Sequence, residues 1–463
     1  MTGLEQVGII KGNNEMKNYK LSLLVLNSLL LFSIRNTFAQ NPIIMDQFTA
    51  DPTARVFEGK IYVYPSHDIL AVERKGRVGW FCMADYHVFS SENLTDWKDH
   101  GVIVSQNKVD WVDSTSYSMW APDCMYRNGK YYFYFPAQAK DKSMRGGIGV
   151  AVSDKPYGPF KPEPKPIVGM GGIDPNIFVD KDGQAYIITT MGRMSIAKLK
   201  DNMLEIEDKP KTIEGLPNKG LKEGPFMFER NGIYYFTYPH VENKTEQLEY
   251  AISDNPMGPF KVTGVIMDER LECWTNHQSI VQYKNQWYLF YHYNDLSPNF
   301  DKNRSVRIDS LFFNEDGTIK KVIPTFRGVG ISDASKKIQI DRYSLKSEKG
   351  ASVAFLNADT TKRFEGWKSI FNEANAWIQY NSVDFGNKKF NSVNVRAFSK
   401  TGGVLQIRLK NVEGPVIAEV EIPEGNEWVT IKAVLSELKP GVQDLVVLLK
   451  DNKHVEVDWI NFE

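Results

Sequence analysis

Three carboxylic residues in this sequence lie in short motifs of the same kind, although they are far apart along the chain. Asp51 and Asp174 are each followed directly by proline, and Glu223 is followed by Gly-Pro. Carboxyl groups that meet raise one another's pKa, so one can stay protonated as an acid while another is ionised as a base. Aspartate before proline is also a common turn residue. The chemical interpretation therefore requires that the three positions be equivalent in the fold.

An internal repeat makes these positions equivalent. Five segments each combine a polar turn with a run rich in Tyr, Phe, Ile and Val, which is typical of a hairpin turn that enters a β-strand. The segments are FEGKIYVYP (57–65), RNGKYYFYF (127–135), KDGQAYIIT (181–189), RNGIYYFTY (230–238) and KNQWYLFYH (284–292). The spacing between successive turns leaves room for four short strands in each unit.

Four-stranded units repeated around an axis form a β-propeller, and the count here is five blades. The alternative is a large β-sandwich with chance similarity between its segments. In a propeller the first strand of each blade lines the central channel, so we expect Asp51, Asp174 and Glu223 to meet at one mouth of that channel. Glycoside hydrolysis needs such a set, since it uses one ionised carboxylate and one protonated acid.

The repeated segments resemble glycoside hydrolase family 43 from about Asn41 to Pro324. The motifs that carry the resemblance are ADPTARVFEGKIYVYPSHD, WAPDCMYRNGKYYFYF, GGIDPNIFVD, LKEGPFMFERNGIYYFTY and NHQSIVQYKNQWYLFYH. The resemblance implies a five-bladed propeller that cleaves glycosides with inversion and needs no cofactor for the chemistry. It also implies that Asp51 is the general base, that Glu223 is the general acid, and that Asp174 adjusts the pKa and orientation of the acid.

The same resemblance implies three substrate-binding residues. Trp120 matches an aromatic residue that walls the sugar site, and Arg304, in NRSVRID, matches an arginine that reaches the sugar from the last blade. His277 matches a channel histidine that lies beside a bound calcium ion or its waters in many members. A buried structural role for His277 is an equal alternative.

After Pro324 the sequence changes its rhythm. Short segments that alternate apolar and polar residues, from AWIQYNSVDFG (376–386) to VEVDWINF (455–462), predict a jelly-roll-like β-sandwich. This part resembles a family 6 carbohydrate-binding module. The resemblance implies that Asp341 and Asp458 are ligands of a structural calcium ion.

The charge balance and the amino terminus limit the location and partners of the chain. Lys and Arg number 56 against 57 Asp and Glu, a net charge of −1, which excludes the basic face that nucleic-acid binding requires. Lys17 and Lys20 precede the apolar run LSLLVLNSLLLF (21–32), and Ala39 provides a small residue before a cleavage point. This pattern predicts a signal peptide, and the run is shorter than the ~20 residues of a transmembrane anchor. We therefore expect a periplasmic or secreted protein.

The sequence predicts an all-β protein with three regions. Residues 1–39 are an upstream extension and signal peptide, residues 40–328 a five-bladed propeller with the catalytic site, and residues 336–463 a β-sandwich that resembles a carbohydrate-binding module. The expected activity is release of α-L-arabinofuranosyl or β-D-xylosyl residues from plant cell-wall polysaccharides or oligosaccharides. The alternatives are an endo-arabinanase or galactan-directed hydrolase on the same scaffold, and a carbohydrate-binding protein without catalysis.

Overall fold

The computed structural model describes residues 40–144, 146–220, 223–359 and 364–463. These residues form β-strands and one short 3₁₀ helix, Gln106–Lys108, with no α-helix among them. None of the described segments is a helix long and apolar enough to cross a lipid bilayer. The signal peptide predicted for residues 1–39 lies outside the described residues. The prediction of an all-β fold is confirmed.

The first four sheets each contain four strands in sequence order. The first sheet is β1 (Phe48–Phe57), β2 (Lys60–Asp68), β3 (Asp85–Ser91) and β4 (Lys98–Ser105). The second is β5 (Asp123–Arg127), β6 (Lys130–Ala137), β7 (Gly147–Ser153) and β8 (Lys161–Pro162). The third is β9 (Ile173–Val179), β10 (Ala185–Thr190), β11 (Met194–Leu199) and β12 (Lys211–Thr212). The fourth is β13 (Phe226–Arg230), β14 (Ile233–Val241), β15 (Glu246–Ser253) and β16 (Lys261–Met267).

The repeated turns are the hairpins that join the first two strands of each blade. In the first blade Phe57 pairs with Lys60, so the loop is only Glu58 and Gly59, both with positive φ (51° and 75°). Two central residues with positive φ define the turn whose twist matches that of paired strands. In the turns at 128–129, 231–232 and 284–285 both central residues also have positive φ. The sequence repeat therefore corresponds to a structural repeat.

The fifth sheet contains three strands rather than the predicted four: β17 (Ser279–Tyr283), β18 (Gln286–Tyr293) and β19 (Ser305–Leu311). The amino-terminal segment lies along β19 instead. The Ile43 amide donates to the carbonyl oxygen of Val306 at 2.9 Å. The Asn41 side chain accepts from the Ile308 amide at 2.8 Å and donates to the Ile308 carbonyl at 3.0 Å. Because these bonds satisfy the exposed edge of β19, the blade closes without a fourth strand.

The core lies between neighbouring blades, where the apolar residues of the repeated strands meet. Tyr86 and Phe133, from the first and second sheets, are fully buried with their ring centroids 5.0 Å apart. The interface between the fifth and first sheets is equally apolar and includes Ile61, Phe290 and Ile308. The five sheets therefore form a closed ring.

The remaining strands form two facing sheets around one apolar core. One sheet has the order β20 (Ser332–Asp333), β24 (Trp377–Asp384), β29 (Val442–Leu449), β26 (Gly403–Leu409) and β27 (Val416–Ile422), with β21 (Leu345–Lys346) also on β24. The other has the order β22 (Ala351–Phe355), β23 (Trp367–Phe371), β30 (Val455–Phe462), β25 (Ser392–Phe398) and β28 (Val429–Val434). This is the predicted β-sandwich.

A buried arginine lies where the sandwich meets the propeller. The Arg342 guanidinium is 3.5 Å from the ring centroid of Trp367 in β23 and 4.8 Å from that of Phe326, which lies between β19 and β20. It also donates to the carbonyl oxygen of Asn41 at 3.3 Å. Asp341 compensates its charge through a contact of 3.0 Å. One charged group thus bonds to segments from both parts of the chain.

Candidate active site

The starts of the five blades meet at a cavity of about 220 Å³. All six residues predicted for catalysis and substrate binding line it, namely Asp51, Asp174, Glu223, Trp120, Arg304 and His277. The structure therefore brings together residues that are up to 253 positions apart in the sequence. The remaining lining includes Trp80, Phe81, Met83 and Trp274, which the sequence analysis did not predict.

Asp51 and Asp174 face the cavity because both have the same unusual backbone conformation. Both have positive φ, 47° and 52°, which is uncommon for residues other than glycine. In both blades the pairing of the first strand with the second shifts register at this point, as in a β-bulge. The proline that follows has no amide hydrogen, so the interruption costs no hydrogen bond of the ladder.

Arg304 holds the Asp51 carboxylate from the neighbouring blade. Its two terminal nitrogens donate to Asp51 Oδ1 at 2.7 Å and to Oδ2 at 3.1 Å, and the Ser66 hydroxyl donates to Oδ2 at 2.7 Å. Burial raises the pKa of the Asp51 carboxyl, but the Arg304 guanidinium and the other nearby donors outweigh it and lower this pKa to about 2. Asp51 is therefore ionised at neutral pH.

Arg304 also binds a second buried carboxylate, Asp68, which the sequence analysis missed. Arg304 Nε donates to Asp68 Oδ2 and a terminal nitrogen donates to Oδ1, both at 2.9 Å. The resemblance implied that Arg304 reaches the sugar. In the structure its guanidinium is shared between two carboxylates while it still lines the cavity.

Two neutral histidines flank Asp51. His292 Nδ1 accepts a hydrogen bond from the Asp51 amide at 3.0 Å, and His277 Nδ1 lies 3.8 Å from Asp51 Oδ1. Burial lowers the pKa of His292 to about 3 and that of His277 to about 4. His277 was predicted, whereas His292 was not. His292 holds the backbone of Asp51 in its unusual conformation.

On the other side of the cavity the surroundings raise the pKa of a carboxyl group. Burial, followed by the charges of Glu223 and Asp51, raises the pKa of Asp174 well above its usual value. The Gly224 amide, directly after Glu223, donates to Asp174 Oδ2 at 2.8 Å. Gly224 has a φ of 68°, and a Cβ at this position would come within 2.8 Å of Pro239. Glycine is therefore required where Asp174 holds the backbone beside Glu223.

Glu246, at the start of β15, is a further carboxyl group that the sequence analysis missed. It is buried, and its Oε2 accepts from the Asn276 amide at 2.8 Å. Within the part of the chain that the structure describes, its Oε1 has no hydrogen-bond partner. Burial and then the nearby Glu223 raise the pKa of Glu246 well above its usual value. Its surroundings therefore favour the neutral form of Glu246.

Aromatic side chains form the mouth of the cavity. Phe81, between β2 and β3, stacks on Trp274, between β16 and β17, with the ring centroids 6.4 Å apart. The Arg304 guanidinium lies 4.7 Å from the Phe81 centroid. Flat apolar faces with polar groups beside them suit a sugar ring, which has apolar C–H faces and a polar edge.

Asp341 and Asp458 do not line this cavity; Asp341 lies between β20 and β21, and Asp458 lies in β30. Asp341 contacts Arg342 at 3.0 Å, and Asp458 contacts Arg396 at 3.4 Å. Calcium prefers six to eight oxygen ligands, and here each carboxylate already has an arginine partner. The pair does not fit a calcium site well, and its role as a ligand pair stays a prediction.

Crowded carboxyl groups at the mouth of a propeller channel are an arrangement that can support acid–base hydrolysis of glycosides. The model of glycosyl hydrolases family 43 matches residues 39–319, and that of the family 6 carbohydrate binding module matches residues 346–463. The chain therefore belongs to glycosyl hydrolases family 43 and is a glycoside hydrolase with a carbohydrate-binding module. Both resemblances found in the sequence are confirmed.

Three known proteins show how far the similarity extends. The chain is 38% identical over 327 residues to xylosidase/arabinosidase 43A of Humicola insolens, covering 60% of this chain and 98% of the relative. The crystal structure of CoXyl43, a family 43 beta-xylosidase/alpha-arabinofuranosidase from a compost metagenome, matches with a TM-score of 0.55 and 35% identity over 62% of this chain and 98% of that one. A Bacillus subtilis arabinoxylan arabinofuranohydrolase matches in fold over 92% of this chain and 99% of its own, with a TM-score of 0.54 and 23% identity.

Proposed function

We propose that the protein is an inverting glycosidase that releases α-L-arabinofuranosyl or β-D-xylosyl residues from plant cell-wall polysaccharides or oligosaccharides. The observation that carries this proposal is the meeting of Asp51, Asp174 and Glu223 at one cavity, where the pKa of Asp51 is lowered and that of Asp174 is raised by its surroundings. The names of the relatives, xylosidase/arabinosidase and beta-xylosidase/alpha-arabinofuranosidase, support the two sugars.

In the proposed mechanism Asp51 is the general base. It takes a proton from a water molecule as this water attacks the anomeric carbon, which displaces the leaving group with inversion. Arg304 and the Ser66 hydroxyl keep the carboxylate ionised and oriented for this step. The neutral imidazole of His292 fixes the Asp51 backbone, so that the base does not have to be oriented during the reaction.

Glu223 is the proposed general acid, which gives its proton to the departing glycosidic oxygen. It lies beside Asp174 and Glu246, whose pKa values are raised by burial and by the neighbouring carboxyl groups, so the three groups compete for protons. The bond from the Gly224 amide to Asp174 supports the role of Asp174 in positioning the acid. Trp120 and the ring pair Phe81 and Trp274 are proposed to hold the sugar.

The walls of the cavity favour removal of a terminal sugar over cleavage within a chain. The loops that follow β2 and β4 are joined by their backbones, since the Met83 amide donates to the Tyr117 carbonyl at 3.0 Å and the Met119 amide donates to the Met83 carbonyl at 3.2 Å. The contact between Phe81 and Trp274 closes another part of the rim. A continuous polysaccharide needs an open groove, whereas these contacts support a pocket for a chain end.

The test is incubation with aryl α-L-arabinofuranoside, β-D-xyloside and β-D-galactoside, then with arabinan and arabinoxylan. We expect turnover of one or both pentosides, with proton NMR showing that the first-formed sugar has the inverted anomeric configuration. Asp51→Ala should abolish turnover even of activated aryl glycosides. Glu223→Gln should affect natural linkages most, because a stable leaving group needs little help from an acid. Retention of configuration, near-normal activity of Asp51→Ala, or cleavage only within arabinan would contradict the proposal.

Export is part of the proposal and has support in two features. One is the pattern of basic, apolar and small residues in the sequence of residues 17–39. The other is the carbohydrate-binding module, which is useful where polymeric substrate is present. Amino-terminal sequencing of the exported protein should give a chain that begins near Gln40.

A further inference from the structure

Two histidines and an aspartate on the first blade form a cluster that the proposed mechanism does not use. His67 lies near the end of β2, and Asp85 and His87 lie on the same side of β3 two residues apart. One nitrogen or carboxylate oxygen from each residue can be chosen so that all three atoms lie within 4.8 Å of one another. None of these residues lines the cavity that holds Asp51.

The cluster is compact and remains accessible to solvent. His67 Nδ1 lies 2.7 Å from Asp85 Oδ1, and the centroids of the two imidazole rings are 5.0 Å apart. The side chains of His67, Asp85 and His87 are 19%, 25% and 15% exposed. In a tetrahedral zinc site with bonds of about 2.0–2.1 Å, ligand atoms are about 3.3 Å apart. An ion could therefore enter the cluster with small rotations of the side chains.

A fourth residue orients His87. Its Nδ1 lies 3.1 Å from both carboxylate oxygens of Asp99 in β4. Asp99 is itself held by the Gly101 amide at 2.7 Å and by the Gln47 side chain at 3.2 Å. A histidine that ligates a metal almost always gives its other ring nitrogen to such a partner. This arrangement leaves His87 Nε2 as the atom that can bind an ion.

The electrostatic environment also favours a cation. Asp85 lies 2.7 Å from His67 Nδ1, and both carboxylate oxygens of Asp99 lie 3.1 Å from His87 Nδ1. Two carboxyl groups therefore lie beside the two imidazoles. Imidazole nitrogens with one carboxylate suit zinc, whereas calcium prefers oxygen ligands alone.

We infer that His67, Asp85 and His87 bind a zinc ion, with Asp99 as the residue that positions His87. Three protein ligands leave a fourth position to water. The ion would link β2 to β3 beside the loop that carries Phe81 and Met83 to the rim of the cavity. This inference concerns a site outside the catalytic set, so it does not depend on the substrate.

The test measures zinc affinity of the full chain by isothermal titration calorimetry after removal of metals with a chelator. Excess calcium in the buffer saturates sites made of oxygen ligands. We expect one zinc ion per chain. His67→Gln and His87→Gln should each weaken binding at least tenfold, and Asp99→Asn should weaken it about 10- to 100-fold. The matched control is His100→Gln on β4, since His100 stacks on Tyr157 outside the cluster. It should bind zinc like the unaltered protein.

Cobalt provides a readout that requires no variant. Co²⁺ bound by two imidazoles and a carboxylate in tetrahedral geometry gives intense visible absorption bands, which zinc should abolish by displacement. Circular dichroism checks that each variant is folded. Absence of zinc binding by the unaltered protein, an affinity in His67→Gln and His87→Gln within twofold of the control, or absence of the cobalt bands would overturn the inference.

Discussion

Arg304 determines the charge of the proposed base, because it binds Asp51 through two hydrogen bonds in a buried site. The pKa of Asp51 lies below that of an ordinary aspartate, so the carboxylate loses its charge only when the pH falls to about 2. The acidic limb of the pH profile of kcat/KM reports the pKa of the base in the free enzyme. Arg304→Met removes the compensating charge and should move this limb upwards by at least one pH unit.

Asp68→Asn is the matched control for that experiment. It removes the other carboxylate that Arg304 binds and leaves the contacts between Arg304 and Asp51 in place. The acidic limb of this variant should stay where it is in the unaltered enzyme or move slightly lower. An unchanged limb in Arg304→Met would show that Arg304 does not control the base.

Glu246 leads to a prediction about stability, because burial raises the pKa of its carboxyl group. Its pKa in the folded protein lies well above the value of 4.5 for an unfolded chain. The folded state therefore holds a proton that the unfolded state has lost, and stability falls as the pH rises above 4.5. Glu246→Gln keeps an acceptor for the Asn276 amide and has no proton to lose.

Urea unfolding of Glu246→Gln between pH 5 and pH 8 should therefore show a shallower fall in the free energy of unfolding. The difference in slope amounts to as much as about 1.36 kcal/mol per pH unit, the value for one proton. Glu242→Gln, an exposed glutamate of the same blade, is the control and should keep the original slope. Equal slopes for the two variants would contradict a raised pKa of Glu246.

The sequence predicted the residues at the starts of the blades and missed those at the ends of the second strands. Asp51, Asp174, Glu223 and His277 lie in motifs before the repeated turns, where the phase of the repeat can be read. Asp68 ends β2 opposite Phe48, the first residue of β1. Because hairpin strands are antiparallel, the end of each second strand lies at the same mouth as the start of the first. Polar residues at the ends of the second strands could therefore have been predicted to lie near the cavity, although the motifs before the turns do not include them.

At the scale of the elements, the turns were the most informative part of the sequence. Gly59 and its equivalents require positive φ, which a turn of two residues imposes whatever surrounds it. The fifth blade was predicted with four strands because its local pattern is like the others. Its edge is covered by residues about 260 positions away, and no local pattern encodes such a contact.

Asn41 provides a test of how the fifth blade closes. Its side-chain amide pairs with the edge of β19 as the backbone of a fourth strand would. Asn41→Ala leaves the buried amide and carbonyl of Ile308 without these partners. Each unsatisfied buried group costs about 1–3 kcal/mol. Urea unfolding should show a loss in this range or somewhat larger, whereas Asn426→Ala at an exposed position of the sandwich should change stability little. A neutral effect of Asn41→Ala would mean that the ring closes without this bond.

At the scale of the whole molecule, the sandwich was predictable as a set of alternating strands, but its attachment was not. The attachment depends on Arg342 and Asp341, a buried ion pair beside Trp367 and Asn41. Burial of a charged pair is unfavourable unless each charge is compensated. The role of Asp341 as a calcium ligand stays a prediction, and its contact with Arg342 depends on how the chain folds, which a resemblance between families does not reveal.

Arg342→Met tests this attachment, since methionine retains apolar bulk but leaves Asp341 as an uncompensated buried carboxyl. Loss of one partner of a buried pair costs about 3–5 kcal/mol.

This cost should depend on pH. Burial already raises the pKa of Asp341 to about 6 despite Arg342, so below that pH the folded protein holds a proton on Asp341. Stability from this proton is fully present below the unfolded pKa of 3.8 and is lost as the pH rises through the folded pKa. Without Arg342 the pKa of Asp341 in the folded protein rises further, so this loss of stability extends to higher pH. Arg342→Met should therefore be only slightly less stable than the unaltered protein at pH 5 and much less stable at pH 8. The double variant Asp341→Asn/Arg342→Met should recover most of the stability at pH 8, and a deficit independent of pH, or no recovery, would refute this account.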